Sequence, residues 1–274
     1  MKEFKIRCSA IAQIMGFGKD ARPITTKQLE RITELDGKEK LTDKQASELI
    51  ELRSKRDKKP TIDELLPVTA QTWLKKWVKE QLYERRKEFY SKYTDKGISV
   101  EQDSIDYLAE NLKWGFVLKN EKYFENNHMT GSPDVFVGKW IKEVKNSWDF
   151  DTFPLFDTEP NPDHVCQVQG YMALTGAESA EICYVLMDMP EHLIQKMVYA
   201  EASKLGVLEL DNEMESEIRE QYLYSKLPPH LRIKRFIVHR DNDFIQSVNE
   251  RVEVCRKYIE TLLPVVDANK EIFM

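Results

Sequence analysis

The sequence has 274 residues, of which 41% are hydrophobic and 32% are charged, and its formal net charge is −6. That length and apolar content suffice for one large domain or two small ones. The acidic balance argues against a protein that coats nucleic acid. A net negative charge does not exclude basic groups that are confined to one groove. The sequence shows no apolar run after Met1 and no segment that would span a bilayer, which predicts a cytoplasmic protein without a membrane partner.

The cysteines are scattered along the chain and none forms a C-x-x-C pair. This spacing favours reduced thiols over a disulfide framework or a zinc site. The four cysteines are Cys8, Cys166, Cys183 and Cys255.

The N-terminal segment combines an arginine with a short helical pattern. Residues 4–7 predict an extended piece, and Ser9 is the expected N-cap of a helix over 10–15 that ends at Gly16. Ser9 can be a simple cap. A helix N-terminus also attracts a phosphate, and Arg7 beside it could add a bidentate contact.

The next stretch reads as helical. We predict helices over 25–34 and 42–55, and one long cationic helix over 69–93. We assign no chemistry to the segment and treat about 19–93 as a helical N-terminal insertion.

A helix over 97–111 follows, with Glu101 in its opening part. Residues 116–124 are then a candidate strand. An acidic residue in the first turn of a helix is common and needs no catalytic role. Its distance before Asp134 in the chain is what makes Glu101 a candidate site residue.

Two β-rich runs flank Gly138-Lys139, and glycine in the first central position suits a type II′ hairpin turn. Directly opposed residues of a hairpin share one face. Lys145 lies two residues beyond Glu143 and therefore projects from the same face. Counting outward from the turn gives the pairs Val137 with Trp140, Phe136 with Ile141, Val135 with Lys142, and Asp134 with Glu143.

The opposed carboxylates of Asp134 and Glu143 repel each other, so they do not stabilise a sheet unless a cation lies between them. Oxygen ligands suit Mg²⁺, with Mn²⁺ as the alternative, and the ammonium of Lys145 could orient a metal-bound water. A solvated hairpin with scattered charges is the simpler interpretation of these three residues taken alone.

Downstream, Asn161 and a first-turn proline start a predicted helix that ends at Gly176. Gln167 and Tyr171 are an i, i+4 pair on one face of it, and both could reach the hairpin. The remaining predictions are a strand over 181–187, helices over 190–205 and 211–224, a strand over 232–239, and an amphipathic helix over 241–263.

These motifs together resemble the PD-(D/E)xK nuclease superfamily. Pro133, Asp134, Glu143 and Lys145 are similar to its signature. Residues 97–101 are similar to G-x-x-x-E, and residues 167–171 to the Q-x-x-x-Y of RecB-type nucleases. Residues 132–134 and 167–169 together look most like the phage lambda exonuclease and YqaJ branch, over roughly residues 90–190 plus a short N-terminal piece.

The resemblance implies an α/β fold with a restriction-endonuclease-like core, that is, a central mixed β-sheet flanked by α-helices. We expect a single nuclease domain over 1–274. It would consist of the helical insertion at about 19–93, the catalytic core at about 94–190, and C-terminal helices and a strand over 191–274.

The resemblance also implies residue roles. Glu101 would be a third acidic group near the metals, and the backbone carbonyl of Val144 a further metal ligand beside Asp134 and Glu143. Arg7, Ser9 and Ser132 would bind the 5′-phosphate of DNA. The implied catalytic residues are Glu101, Asp134, Glu143, Lys145, Gln167 and Tyr171.

The implied activity is a metal-dependent 5′-to-3′ exonuclease on the ends of linear double-stranded DNA. It would release mononucleotides and leave 3′ single strands for a single-strand annealing partner in phage-type recombination. The location would be the cytoplasm of a bacterium or a phage-infected host cell, and the lambda branch forms a ring-shaped homo-trimer.

Three alternatives stay open. One is an endonuclease of the same superfamily that cuts closed circles. A RecB-type CRISPR-adaptation nuclease is a second, although this cysteine pattern predicts no iron–sulfur cluster. The last is a non-catalytic DNA-binding scaffold for recombination.

Overall fold

The computed structural model describes residues 1–16, 25–38, 40–57, 61–86 and 91–271. The strands, numbered in chain order, are β1 (Ile6–Arg7), β2 (Phe124–Glu125), β3 (Met129–Gly131), β4 (Val135–Val137), β5 (Trp140–Asn146), β6 (Ser179–Val185) and β7 (Ile233–His239). The α-helices are α1 (Ile11–Ile14), α2 (Thr26–Asp36), α3 (Asp43–Asp57), α4 (Ile62–Leu65), α5 (Val68–Leu82), α6 (Lys92–Ser99), α7 (Glu101–Asn111), α8 (Pro162–Thr175), α9 (Glu191–Leu205), α10 (Asn212–Gln221) and α11 (Asn242–Glu271).

The chain divides into two compact units. The first contains Met1–Phe4, Gln13–Arg85 and Val248–Met274, and the second contains Lys5–Ala12 and Arg86–Ser247. The single-domain organisation expected from the sequence stays a prediction.

Apart from residues 1–4, the described part of the first unit consists of helices and the turns between them. A reciprocal capping box between Thr25 and Gln28 starts α2, which packs on α3 around the buried side chains of Ile32, Leu35 and Leu49. Helix α5 buries one stripe of side chains because its apolar residues recur at helical spacing.

The second unit contains two mixed sheets. In the first sheet, with strand order β1-β3-β2, β1 lies parallel to β3 and β2 lies antiparallel to it. The second sheet has the order β4-β5-β6-β7, with β5 and β6 parallel. The predicted α/β class with a mixed sheet and helices is confirmed. The strands form two separate sheets.

The predicted hairpin register is confirmed. Val135 pairs with Lys142, Phe136 with Ile141, and Val137 with Trp140. Gly138 has φ +59°, whereas Lys139 is not among the described residues with positive φ. This combination is the one that a type II′ turn requires.

The two faces of the second sheet bury different helices. Ile105 and Leu108 of α7 pack with Val144 and Cys183 on one face. Helix α8 packs on the opposite face, to which Glu143 and Lys145 project. The central strand β6 is buried along its whole length, as expected for a strand covered on both faces.

Three predicted elements are wrong in the described part of the chain. The helix predicted over 69–93 ends at Leu82. Two residues later Glu84 has φ +51°, a left-handed conformation that does not continue the helix. The strand over 116–124 is reduced to β2, because Lys113 and Gly115 turn the chain through positive φ and the following residues pair with no strand. The helix over 97–111 is two helices, α6 and α7, that meet at Val100.

Ser9 is not an N-cap. It lies inside a 3₁₀ turn, Cys8–Ala10, whose N-cap position is held by Arg7 without a side-chain hydrogen bond. The short helix α1 follows this turn directly. Within the described ranges, no helix has both the length and the apolar character needed to cross a membrane.

Candidate active site

Two carboxylates meet where β4 and β5 are paired. Asp134 immediately precedes β4, and the register of the hairpin places it on the same face as Glu143 of β5. One oxygen of Asp134, Oδ2, accepts the backbone N–H of Val144 at 2.7 Å. Glu143 is 2% exposed, and its Oε2 is buried without a hydrogen-bond partner.

The environment disfavours negative charge on both groups. Burial raises the pKa of Asp134 well above its usual value, and the charge of Glu143 raises it further. Burial also raises the pKa of Glu143, although Lys145 opposes the shift. A buried acceptor without a donor costs free energy, so this pair is poised to gain a proton or a cation.

Lys145 lies beside the pair on the same face. Its Nζ donates to Glu143 Oε1 at 2.8 Å and to Gln167 Oε1 at 3.0 Å. Burial lowers the pKa of Lys145, but the charge and hydrogen bond of Glu143 outweigh burial, so the net shift is upward. The side chain therefore carries its proton at neutral pH.

Helix α8 supplies Gln167 and Tyr171, as the i, i+4 spacing predicted. Gln167 is buried, and its Nε2 donates to Glu143 Oε1 and to Tyr171 Oη, each at 2.9 Å. With the contact from Lys145, the amide uses both its carbonyl and its N–H₂ group. A single hydrogen-bonded network thus joins β5 to α8.

The donor set fits a hard divalent cation. Among the described residues, no group of three or more His, Cys, Asp or Glu side chains is arranged to hold a metal ion. Mg²⁺, however, commonly takes only one or two protein carboxylates and completes its shell with water and phosphate. The unpartnered Oε2 of Glu143 beside Asp134 meets that smaller requirement.

Glu101 borders the same site but has another partner. A cavity of about 620 Å³ is lined by Glu101, Asp134, Val144 and Lys145, among other residues. The Oε2 of Glu101 accepts Lys119 Nζ at 2.6 Å. The structure thus brings the predicted third acid to the cavity wall, where a lysine neutralises it.

The cavity has further walls that the sequence did not identify. His164 and Tyr184 line it, as does Asn146 at the end of β5. His164 lies three residues before Gln167 on α8, so the helical period could have placed it on the helix face that carries Gln167. Tyr184 is on the neighbouring strand opposite Lys145, a relationship that only the pairing of β5 with β6 creates.

A second cavity, of about 320 Å³, gathers the three residues that the resemblance linked to a 5′-phosphate. Arg7, Ser9 and Ser132 all line it. Ser132 Oγ is already engaged, since it donates to Lys122 O and accepts from Asn120 Nδ2, each at 3.0 Å.

The second cavity also contains residues that the motifs did not single out. Arg86, assigned by the sequence to a long cationic helix, lies on its wall instead, as does Tyr123. Tyr171 lines the cavity too, so the hydrogen-bonded network of Lys145, Gln167 and Tyr171 reaches it.

Two glycines allow the N-terminal segment to pack against α8. A Cβ on Gly170 would lie 2.5 Å from Ile11 Cδ1 and 2.8 Å from Cys8 Sγ. A Cβ on Gly131 would lie 2.7 Å from Tyr171 Cε1. Glycine at both positions is therefore what lets Cys8, between Arg7 and Ser9, approach the helix that carries Gln167.

Solved structures of exonucleases match this chain over nearly its whole length. No protein-family model matches the sequence, and no curated protein sequence matches it. The crystal structure of a phage-related exonuclease from Haemophilus somnus 129PT matches with a TM-score of 0.65 and 23% identity, covering 97% of each chain.

An alkaline exonuclease from Laribacter hongkongensis matches with a TM-score of 0.56 and 13% identity, covering 98% of this chain and 95% of that one. The same exonuclease in complex with dAMP matches with a TM-score of 0.55 and 14% identity, with the same coverage. The chain therefore has the fold of these phage-related and alkaline exonucleases.

Proposed function

We propose that this protein is a metal-dependent exonuclease that hydrolyses linear double-stranded DNA from its ends. The observation that carries the proposal is the buried, unpartnered Oε2 of Glu143, placed beside Asp134 and within reach of the ammonium of Lys145. A purely structural hairpin would be more stable without a buried carboxylate beside a second, half-buried one. The exonuclease fold supports the same proposal.

Asp134 and Glu143 would hold the metal, with Glu101 and the Val144 carbonyl completing its protein ligands. Mg²⁺ is the expected ion, and Mn²⁺ could replace it. When bound, such an ion polarises the phosphate and lowers the pKa of coordinated water. Recruiting Glu101 requires that it give up its contact with Lys119.

The other network residues position the reacting groups. Lys145 would donate from its charged Nζ to the attacking water or to a phosphate oxygen, which stabilises charge as it develops. Gln167 fixes the Lys145 side chain by accepting from it, and Tyr171 fixes Gln167 in turn. Because these contacts exist before substrate binds, little reorganisation is needed during the reaction.

The second cavity would bind the 5′-phosphate of the strand being degraded. Arg7 and Arg86 supply positive charge there, and Ser9 supplies a hydroxyl. A 5′-phosphate bound there would account for the proposed 5′-to-3′ direction and for a dependence on a free end. One of the exonucleases with this fold binds dAMP, and we propose a deoxynucleoside monophosphate as the product.

The products suggest the biological setting. Degradation of one strand leaves a 3′ single strand, which a single-strand annealing protein would take up during phage-type recombination. We propose a cytoplasmic homo-oligomer, a trimer by resemblance to the lambda branch, working in a bacterium or a phage-infected cell.

Two DNA substrates test the proposal. A linear duplex with a 5′-phosphate and the same DNA as a closed circle are incubated with the protein and Mg²⁺, with chelator and Lys145→Ala as controls. Mononucleotide release from the linear form alone, lost in both controls, is the expected result. The loss on Lys145→Ala should be roughly 100-fold or more.

Other outcomes lead elsewhere. Cutting of the circle would make the protein an endonuclease on the same fold. No cleavage with Mg²⁺ or Mn²⁺, together with salt-sensitive DNA binding, would favour a non-catalytic recombination scaffold.

A further inference from the structure

A histidine and a tyrosine form a pair in the wall of the larger cavity, apart from the network of Lys145 and Gln167. His164 Nδ1 and Tyr184 Oη are 2.8 Å apart, and both residues line the cavity with Asp134 and Lys145. Tyr184 also accepts the backbone N–H of Asn161 at 3.0 Å, just before α8 begins. The pair thereby holds the start of α8 against β6.

The hydrogen-bond pattern favours one tautomer of the imidazole. Tyr184 Oη accepts from Asn161, and its only other partner in the described part of the chain is His164 Nδ1. If the tyrosine donates its proton to Nδ1, the hydroxyl hydrogen has an acceptor, whereas an Nδ1–H donor would leave that hydroxyl hydrogen without a protein partner among the described residues. The histidine proton then resides on Nε2.

Nε2 is the end of His164 that is free to meet a substrate. It has no protein partner among the described residues, and it is not among their buried atoms that lack one. Solvent in the cavity therefore reaches it. Because His164 and Gln167 are three residues apart on α8, the imidazole lies one helical turn from the amide that holds Lys145.

We propose that His164 is a further substrate-binding residue of this site, an uncharged imidazole whose Nε2–H donates to a phosphate oxygen of the bound DNA strand. Tyr184 is the positioning residue that holds the imidazole through Nδ1. The inference rests on the proposed nuclease function and adds to it a residue that none of the sequence motifs contains.

The chemistry of the cavity favours this role. A phosphodiester presents only acceptors, whereas Glu101, Asp134 and Asp157 on the walls are acidic. A neutral donor can bind a phosphate oxygen without drawing metal-coordinating carboxylates away from their cation. Burial and the charge of Lys145 lower the pKa of His164 to about 4, so the imidazole stays uncharged at neutral pH.

Two substitutions separate the ring nitrogens. In His164→Gln the side-chain amide N–H₂ takes approximately the place of Nε2, whereas in His164→Asn the amide takes approximately that of Nδ1 and leaves nothing at Nε2. Steady-state kinetics on the linear 5′-phosphorylated duplex give kcat and KM for each variant. The same histidine-to-asparagine change at His192, an exposed residue paired with Asp95, is the matched control.

We expect His164→Asn to lose roughly 10- to 100-fold in kcat/KM, the effect of one hydrogen bond to a charged group. His164→Gln should stay within about threefold of wild type, and His192→Asn should be unchanged. Tyr184→Phe should fall between the two, because the imidazole remains but is no longer held. Nitrogen NMR of the wild-type imidazole should show the Nε2-protonated tautomer from pH 6 to 8.

Several results would overturn the inference. Equal activity of His164→Asn and wild type would remove the substrate contact, and equal loss in His164→Asn and His164→Gln would reduce His164 to a structural role. A neutral Nδ1-protonated tautomer at pH 7 would remove the donor, and a charged imidazole would contradict the uncharged form that we propose. If wild type cleaves no DNA, the proposed function itself fails, and that outcome is visible before any variant is compared.

Discussion

Lys145 Nζ donates to Gln167 Oε1 at 3.0 Å. The lysine of the hairpin is therefore held by a helix, α8, that begins 17 residues later, at Pro162. Glu143 Oε1 receives hydrogen bonds from both of these side chains. The lysine is consequently held in one orientation before any ligand arrives. Removing the helix contact would leave a long flexible side chain over a buried carboxylate.

Asp134→Asn should stabilise the protein in the absence of metal while abolishing cleavage. The substitution removes a half-buried charge beside the buried Glu143 and keeps an oxygen that can accept from Val144. At pH 8 the free energy of unfolding should rise by roughly 1–2 kcal/mol, and added Mg²⁺ should raise the melting temperature of wild type but not of the variant.

The difference between wild type and Asp134→Asn should depend on pH. The raised pKa values mean that the folded state holds protons more tightly than the unfolded state. Wild-type stability therefore falls as pH rises above the ordinary carboxyl pKa of about 4, and below that pH the two proteins should converge. Asp103→Asn, on the exposed side of α7, is the control. An unchanged melting temperature without metal, or the same Mg²⁺ response in both proteins, would contradict the metal assignment.

Gly170→Ala should destabilise the second unit. The added methyl meets Ile11 and Cys8 closer than van der Waals contact allows, and overpacking of this kind costs about 1–3 kcal/mol. Gly97→Ala is the matched control, because its Cβ meets no atom within 4 Å and should stabilise α6 by up to about 1 kcal/mol. Chemical denaturation measures both changes. Similar effects of the two substitutions would show that the close packing of Cys8 on α8 does not matter.

Arg7→Ala should weaken the preference for phosphorylated ends without removing the chemistry. We expect the ratio of rates on 5′-phosphate and 5′-hydroxyl duplexes to fall by roughly tenfold, the effect of a charge-assisted contact. Lys5→Ala, two residues earlier and paired on the surface with Glu125, should leave that ratio unchanged. An Arg7→Ala variant that still prefers phosphorylated ends would place the phosphate outside the second cavity.

Lys96→Met should lower the free energy of unfolding, because it removes the amino group of a buried lysine that donates two hydrogen bonds. Lys96 is 1% exposed, and its Nζ donates to the carbonyl oxygens of Ser147 and Trp148, each at 2.8 Å. Both carbonyls lose their donor in the variant, which should cost roughly 2 kcal/mol.

The stability difference between wild type and Lys96→Met should grow at alkaline pH. Burial lowers the pKa of Lys96 from 10.5 to about 8. Between these values the unfolded chain binds more protons than the folded one, so wild type gains stability as pH rises from 8 to 10.5. A neutral amine still has two hydrogens for the two carbonyls. Denaturation at pH 7.5, 9 and 10 measures the trend; Lys204→Met, at an exposed ion pair, should show none of it.

The hairpin of the candidate site was predictable because its information is local. Strand alternation has a period of two, and a two-residue turn at Gly138 fixes which side chains oppose each other, so Asp134, Glu143 and Lys145 had to share a face. The same holds for α8, where the spacing of Gln167 and Tyr171 and the cap at Asn161 lie within four to ten residues. The fold class followed from these elements and from the motifs.

The errors arose where a boundary depended on packing rather than on periodicity. Residues 69–93 have a continuous helical pattern, but the backbone at Glu84 adopts a left-handed conformation that the pattern does not encode. Residues 116–124 have strand-like composition, yet most of them find no strand to pair with.

The sequence by itself determined the hairpin, its acidic pair and the helix face that carries Gln167 and Tyr171, because each depends on neighbours a few residues apart. Only the tertiary structure decided which distant segments complete the site. It pairs Ile6 with Met129 in a parallel ladder, buries Lys96 under the end of β5, and sets Tyr184 opposite Lys145 so that His164 faces the cavity. These contacts join residues about 20 to 120 positions apart, and packing rather than local periodicity selects such partners.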